Sequence, residues 1–376
     1  MKNQILAIGA FAVLVLAGCN TGNKATGFTL TGEALPAELN GTYAYLLEPG
    51  TREAGDSVQI MDGAFTYTIA NPDSSTYRFL KLGKGSVRFL PENGTVKVVV
   101  DEENGFKIVP ADSLGLNAKM IAYNAEVQSA LAPIQEAYRQ KYADYNAKKE
   151  AGFASEEERL ALESEIDSIG RAYDAMNNEI ANRVYEANKD NVLGALAFAD
   201  LSFQNDSDFI VKYDASTDVV KKDKRLSRRY NGIKTSMLTQ AGAKYVDFNI
   251  DNGQGQVSKL SDYLTDNRYL LVDFWASWCG PCRAAMPHLA AINKEHAKTI
   301  RVLSIGVWEE SIKDNETAKQ ELNMTWETAF DKASVGTEAY GVQGIPTLLL
   351  IAPDGTIALR THSADDLNAK IKELNL

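Results

Sequence analysis

The feature that most restricts this chain is a pair of cysteines, Cys279 and Cys282, spaced C-x-x-C just after an apolar run, Tyr269–Trp275. The run reads as a strand and the pattern after Cys282 as a helix, so the pair sits where a strand hands over to a helix. Gly280 and Pro281 then occupy the opening turn. Unpaired N–H groups and the positive end of the helix dipole favour a thiolate there, which lowers the pKa of Cys279 and makes it the attacking group. Cys282, one turn on, is the more buried, resolving thiol. Strand patterns at Ile300–Val307, Trp326–Phe330, Leu348–Ile351 and Ile357–Arg360, with a helix-like stretch at Ser311–Asn323, predict an α/β domain with a mixed sheet flanked by helices.

The third cysteine has a different setting. Met1-Lys2 precedes an apolar run, Ile5–Ala17, interrupted only by Gly9. That run is short of the roughly 20 residues a transmembrane helix needs and suits the central part of a secretory signal. Leu16-Ala17-Gly18-Cys19 follows and resembles the bacterial lipobox, in which the chain is cut before the cysteine and the cysteine is acylated. The resemblance implies a leader at 1–18, lipidation of Cys19 and a polar tether at 19–26. It places the protein in the cell envelope, anchored by lipid and not membrane-spanning. The absence of an acidic cluster after Cys19 points to the periplasmic side, with the inner and outer membranes both open. Cys279 and Cys282 are then the only thiols left in an oxidising compartment, so they make and break their own disulfide. With only His288, His296 and His362 to add, a four-ligand zinc site is hard to complete.

From Phe28 to about Val109, short runs rich in Tyr, Thr, Val and Phe alternate with turn residues, which predicts a small β-rich domain over 27–111. Asp62-Gly63 reads as a hairpin turn within Val58–Ile69. Over 112–240 the spacing becomes helical. One long helix follows Ser113, and a second begins at the capping box Ser155-x-x-Glu158. The seam Leu162, Ile166, Ile169, Tyr173, Met176, Ile180, Val184 suits an antiparallel helical hairpin or a dimerisation arm. Lys221, Lys222, Lys224, Arg225, Arg228 and Arg229 read as a solvated helix face, with anionic lipid headgroups as the alternative contact. The net charge of −11 leaves no general electrostatic grip on nucleic acid.

Around the cysteines the match to a known family is close. Val272-Asp273-Phe274-Trp275-Ala276, Trp278-Cys279-Gly280-Pro281-Cys282 and, far downstream, Tyr340-Gly341-Val342-Gln343-Gly344-Ile345-Pro346-Thr347 together resemble the thioredoxin superfamily. The spacing from Cys282 to Pro346 carries the insertion typical of its extracytoplasmic, TlpA/ResA-like branch, so the resemblance covers 243–376. It implies a thioredoxin-like C-terminal domain with Cys279 and Cys282 as catalytic dithiol and Asp273 as a buried proton carrier. Pro346 is implied to be cis and to face the pair. The resemblance also implies that Trp278, Gly280, Pro281 and Ile345 form a substrate-binding rim, the backbone at Ile345 pairing with bound substrate. From the residues themselves, a carboxylate in an apolar strand should have a raised pKa suited to proton transfer near neutrality. Ala285 departs from the branch, which usually has Glu at this place, and leaves Asp273 as the proton carrier.

The expected activity is thiol:disulfide exchange on extracytoplasmic client proteins, reducing or isomerising their disulfides, with no organic cofactor or metal. A reductant in an oxidising space needs a transmembrane thiol electron donor as partner. Two alternatives accompany it. One is a thiol peroxidase, although Ala276-Ser277-Trp278 does not supply the Pro-x-x-x-Thr-x-x-Cys setting of that class. The other is a binding role, in which the N-terminal regions position the redox domain on a client.

Overall fold

The computed structural model describes residues 27–49, 54–70, 72, 76–101, 105–251 and 257–376. The predicted leader, Cys19 and tether lie outside them. The chain divides into two compact units that part within one long helix, after Ala125.

The N-terminal unit holds eight described strands: β1 (Phe28–Gly32), β2 (Tyr43–Leu47), β3 (Ala54–Gln59), β4 (Phe65–Ile69), β5 (Arg78–Leu82), β6 (Gly85–Phe89), β7 (Gly94–Asp101) and β8 (Gly105–Pro110). They form two four-stranded sheets, β4-β1-β7-β8 and β3-β2-β5-β6. Alternation buries Phe28 and Leu30 on one sheet and Val87 and Phe89 on the other, and the rings of Phe28 and Phe89 stack at 5.3 Å between them. The Asp62-Gly63 turn is present, both residues at positive φ (52° and 68°), but the expected hairpin is not. A single bridge, Met61 to Ala64, spans the turn, after which β3 stays with β2 and β4 pairs with β1. The turn is a corner between sheets because Ile60 remains tied to the β2 side, its N–H donating to the Thr42 carbonyl at 2.8 Å.

Two long helices, α1 (Leu116–Ala151) and α2 (Glu156–Ala187), run antiparallel, as their cross-links show: Glu126 meets Arg183, Lys141 meets Glu165, Tyr145 meets Glu163 and Lys148 meets Glu158. Ser155 caps α2, its hydroxyl accepting from Glu158 N at 3.1 Å. Glu158 reaches back one residue further than a capping box requires, to Ala154 N at 2.7 Å. The hairpin buries its seam at Leu162, Ile180 and Val184, while Met176 lies 37% exposed. Four shorter helices follow: α3 (Val192–Ala199), α4 (Asp206–Asp214), α5 (Asp218–Lys222) and α6 (Lys224–Leu238). Every residue of α3 from Val192 to Phe198 is buried, as expected of a helix apolar all round. Phe198 gathers Tyr185, Phe203, Phe209 and Tyr213 about it at 5.3–6.4 Å. Arg229 corrects the reading of a solvated basic face: its guanidinium lies 4.2 Å from the Phe209 ring centroid, and burial lowers its pKa.

The remainder is a seven-stranded mixed sheet clasped by helices. Its elements are β9 (Asn249–Asp251), β10 (Val257–Lys259), β11 (Tyr269–Trp275), α7 (Gly280–Glu295), β12 (Ile300–Gly306), α8 (Ile312–Glu321), β13 (Glu327–Phe330), α9 (Val335–Ala339), β14 (Thr347–Ile351), β15 (Ile357–Thr361) and α10 (Ala364–Glu373). The strand order is β10-β9-β13-β12-β11-β14-β15, with β11 parallel to β12 and antiparallel to β14. Central strand β11 is apolar on both faces, as a sheet covered on both sides demands. Leu270, Val272 and Phe274 enter one core, while Leu271 and Trp275 enter the other with Cys279, Cys282 and Met286. No described helix is long and apolar enough to cross a membrane.

Candidate active site

Asp273 lies between Leu271 and Trp275, so the two-residue period of β11 turns it to the face that carries the cysteines. It is 1% exposed. Its Oδ2 accepts from Ser304 Oγ at 2.9 Å, and Ser304 Oγ in turn accepts from Trp326 Nε1 at 2.9 Å. Burial penalises the carboxylate and pushes its pKa up to about 7, the Ser304 hydrogen bond opposing this in part. A proton on Asp273 is therefore exchangeable near neutral pH.

Cys279 is the N-cap of α7 and is disulfide-bonded to Cys282. The Cys282 N–H donates to Cys279 Sγ at 3.1 Å, so the helix terminus offers a donor to that sulfur. Cys282 is fully buried and Cys279 is 5% exposed. Pro281 sits in the first turn of α7, where its missing N–H costs nothing. A Cβ on Gly280 would meet nothing within 4 Å, so space above the pair is open. Ala285 packs against the core that holds the cysteines.

Opposite the pair, Ile345-Pro346 is a cis peptide, and the Ile345 carbonyl lies 3.7 Å from Cys279 Sγ. His362 Nδ1, just past β15, lies 2.6 Å from the Pro346 carbonyl, which fixes that nitrogen as the donor. The structure thus brings Cys279, Cys282, Ile345 and Pro346 together and sets Asp273 on the same face of the sheet. Trp278 stands at the rim, 59% exposed, its indole N–H donating to the Trp308 carbonyl at 3.2 Å.

Several residues of this neighbourhood escape sequence reading. Ser304 and Trp326 carry a faint signal, a hydroxyl within the apolar strand Ile300–Val307 and an aromatic residue at the start of the next strand. Trp308 carries none. It has φ of +54°, rare for an aromatic residue. The conformation is held on both sides, by the bond from Trp278 and by Glu309, whose carboxylate accepts from Ser277 N and Oγ, both at 2.7 Å, and from Asn315 Nδ2 at 2.5 Å.

Comparison with known proteins agrees with this architecture. Residues 241–360 match the AhpC/TSA family. The chain is 29% identical over 126 residues to the thioredoxin-like protein YneN of Bacillus subtilis, a match covering 33% of this chain and 72% of that protein. It is 27% identical over 117 residues to the thiol-disulfide oxidoreductase ResA of Geobacillus thermodenitrificans, covering 31% and 66%. A thioredoxin of Mycobacterium tuberculosis is 33% identical over 115 residues, covering 31% of this chain and 78% of the relative. Through its C-terminal part, the chain belongs to the thioredoxin-like family. Within that family its relatives include proteins named thiol-disulfide oxidoreductase, and that is the enzyme class of this protein.

Proposed function

We propose that the protein is a lipid-anchored thiol:disulfide oxidoreductase that reduces disulfides of extracytoplasmic clients. The observation that carries this reading is the Cys279–Cys282 disulfide at the first turn of α7, facing the Ile345 carbonyl and sharing a core with the face that bears Asp273. In the reduced state the Cys279 thiolate attacks one sulfur of a client disulfide. The client's other sulfur leaves as a thiolate, and a mixed disulfide forms. Asp273, ionised near neutrality, takes the proton of the Cys282 thiol. The Cys282 thiolate then attacks Cys279 Sγ and releases the client's second thiol, leaving the intramolecular disulfide. Two electrons pass to the client, and a dithiol donor returns them.

The carbonyl and N–H groups around Ile345 offer a short backbone edge to which an extended client segment can pair, and Trp278 walls one side. Membrane attachment rests on Leu16-Ala17-Gly18-Cys19. We assign 27–111 as a β-rich domain, 112–240 as a helical region and 243–376 as the redox domain. The test is Cys282→Ser, which blocks resolution and should hold clients on Cys279 as mixed disulfides that dissolve on reduction. A Cys282→Ser protein expressed at native level that captures no more protein than a Cys279→Ser control overturns the reading.

A further inference from the structure

The loop that delivers Cys279 runs from the end of β11 to the N-cap of α7 and comprises Ala276, Ser277 and Trp278. Its own turn is closed by a bond from the Cys279 N–H to the Ala276 carbonyl at 3.1 Å. Two consecutive residues of the segment between β12 and α8 then grip it from outside. The Trp308 carbonyl accepts the Trp278 indole N–H, and the Glu309 carboxylate takes Ser277 by both its N–H and its hydroxyl. The Ser277 carbonyl is held more loosely, 3.4 Å from Arg283 Nη1, while Arg283 Nη2 is bound to Glu321 at 2.9 Å.

Glu309 is itself fixed from behind. Asn315, 1% exposed on α8, donates Nδ2 to the same carboxylate oxygen that accepts the Ser277 N–H. The amide reaches this place because β12 ends in Gly306, where a Cβ would come within 2.7 Å of Asn315 Nδ2. Asn315 Oδ1 meets no hydrogen-bond partner among the described residues, so the bond to Glu309 is what this buried amide contributes. The three donors on Glu309 are neutral and lie at 2.5–2.7 Å, which makes the carboxylate a fixed acceptor rather than half of an ion pair. A line from Asn315 through Glu309 to Ser277 thus carries the rigidity of α8 to a residue two positions before the attacking sulfur.

We propose that Glu309 is a positioning residue for disulfide exchange, holding the loop 276–278 so that Cys279 Sγ meets a client disulfide in line. The inference rests on the thiol:disulfide reading above and adds a residue to it. Attack on a disulfide needs the incoming sulfur, the attacked sulfur and the leaving sulfur nearly collinear, and a misplacement of about 1 Å can cost on the order of a hundredfold in rate. Forming the thiolate makes no such demand, because the donors at the start of α7 travel with Cys279. Glu309 therefore acts on alignment, and its loss should separate client reduction from simple thiol reactivity.

The experiment uses the pre-reduced full-length chain, the disulfide-linked dimer of a short synthetic peptide, and iodoacetamide. Cys279 attacks one peptide sulfur and the other leaves as a thiolate. Cys282 then closes the intramolecular disulfide and frees the second peptide, so one dithiol is oxidised as one disulfide is reduced. Alkylation of Cys279, followed by mass spectrometry, reports thiolate supply, and dividing by it removes any change in ionisation. The ratio of second-order rate constants, exchange over alkylation, should fall about ten- to hundredfold in Glu309→Ala. Glu309→Gln should keep it within about threefold of native, since its Oε1 can accept from Ser277 N and Asn315 Nδ2 while its amide donates to the Ser277 hydroxyl. Ser277→Ala, which keeps the N–H bond and loses the hydroxyl's, should lie between the two, and it stands in for Glu309→Ala if that variant does not fold. An unchanged ratio in either alanine variant, or a loss in Glu309→Gln as large as in Glu309→Ala, overturns the positioning role and leaves the oxidoreductase reading standing. A native chain that is alkylated at Cys279 but reduces no peptide disulfide overturns both.

Discussion

Replacing Asp273 with Asn should alter how the stability of the oxidised protein depends on pH. An aspartate has a pKa of 3.8 in the unfolded chain and about 7 in this fold, a difference dominated by burial. Because the folded value is the higher, the folded state binds the proton more tightly than the unfolded one. The resulting stabilisation is complete below about pH 4 and is lost as pH rises through about 7. At about 1.4 kcal/mol per unit, the full span is about 4 kcal/mol, of which about 2–3 kcal/mol falls between about pH 5 and pH 8. Asn keeps the shape and can still accept from Ser304 Oγ, but it does not titrate. Urea unfolding across this range should therefore show native stability falling relative to Asp273→Asn by that amount, with the two curves converging in acid. In the reduced protein the same substitution should slow release of the mixed disulfide at neutral pH by about a hundredfold, the lower end of what a positioned base contributes. Parallel stability curves would refute the buried, near-neutral carboxyl, whatever the catalytic result.

Other outcomes follow from neighbouring contacts. Ser304→Ala leaves the Trp326 indole N–H without this partner and removes a hydrogen bond that favours ionised Asp273. It should cost about 1–3 kcal/mol in chemical denaturation and move the pH transition of stability further up. Gly341→Ala meets backbone at 2.1 Å and at positive φ, whereas Gly232→Ala meets the end of a flexible glutamine. Denaturation midpoints should thus fall more for Gly341→Ala, by more than about 1 kcal/mol, and equal losses would count against the close seating of α6.

The α/β region was readable because its strands are covered on both faces and its helices carry explicit start signals. Tyr269–Trp275 is β11 without adjustment, and Ser311 caps α8 at 3.1 Å from Lys313 N. Local order says less about where a strand goes next, which is why Asp62-Gly63 marks a turn without revealing that it joins two sheets. Residues contiguous with the cysteines announced themselves through spacing and resemblance. Ser304, Trp326 and His362 did not, since they reach the site through sheet order and their partners are between 16 and 31 positions away. Arg229 was misread because charge is visible in a sequence and the Phe209 ring beneath it is not.

Arg360 on β15 determines where this chain can be divided. Its guanidinium donates to Thr239 Oγ1 at 2.6 Å and to the Tyr340 carbonyl at 2.7 Å, and its surroundings are dry enough to lower its pKa. A fragment beginning at residue 243, the edge suggested by the resemblance, keeps both sulfurs and the cis-proline loop. It leaves behind Thr239 and all of α6, and so opens a cationic side chain and the back of that loop to water. For a genetic fusion or a minimal redox module, keeping Arg360 covered means keeping α6 and Thr239, and keeping Arg229 on the Phe209 ring means keeping α4 as well.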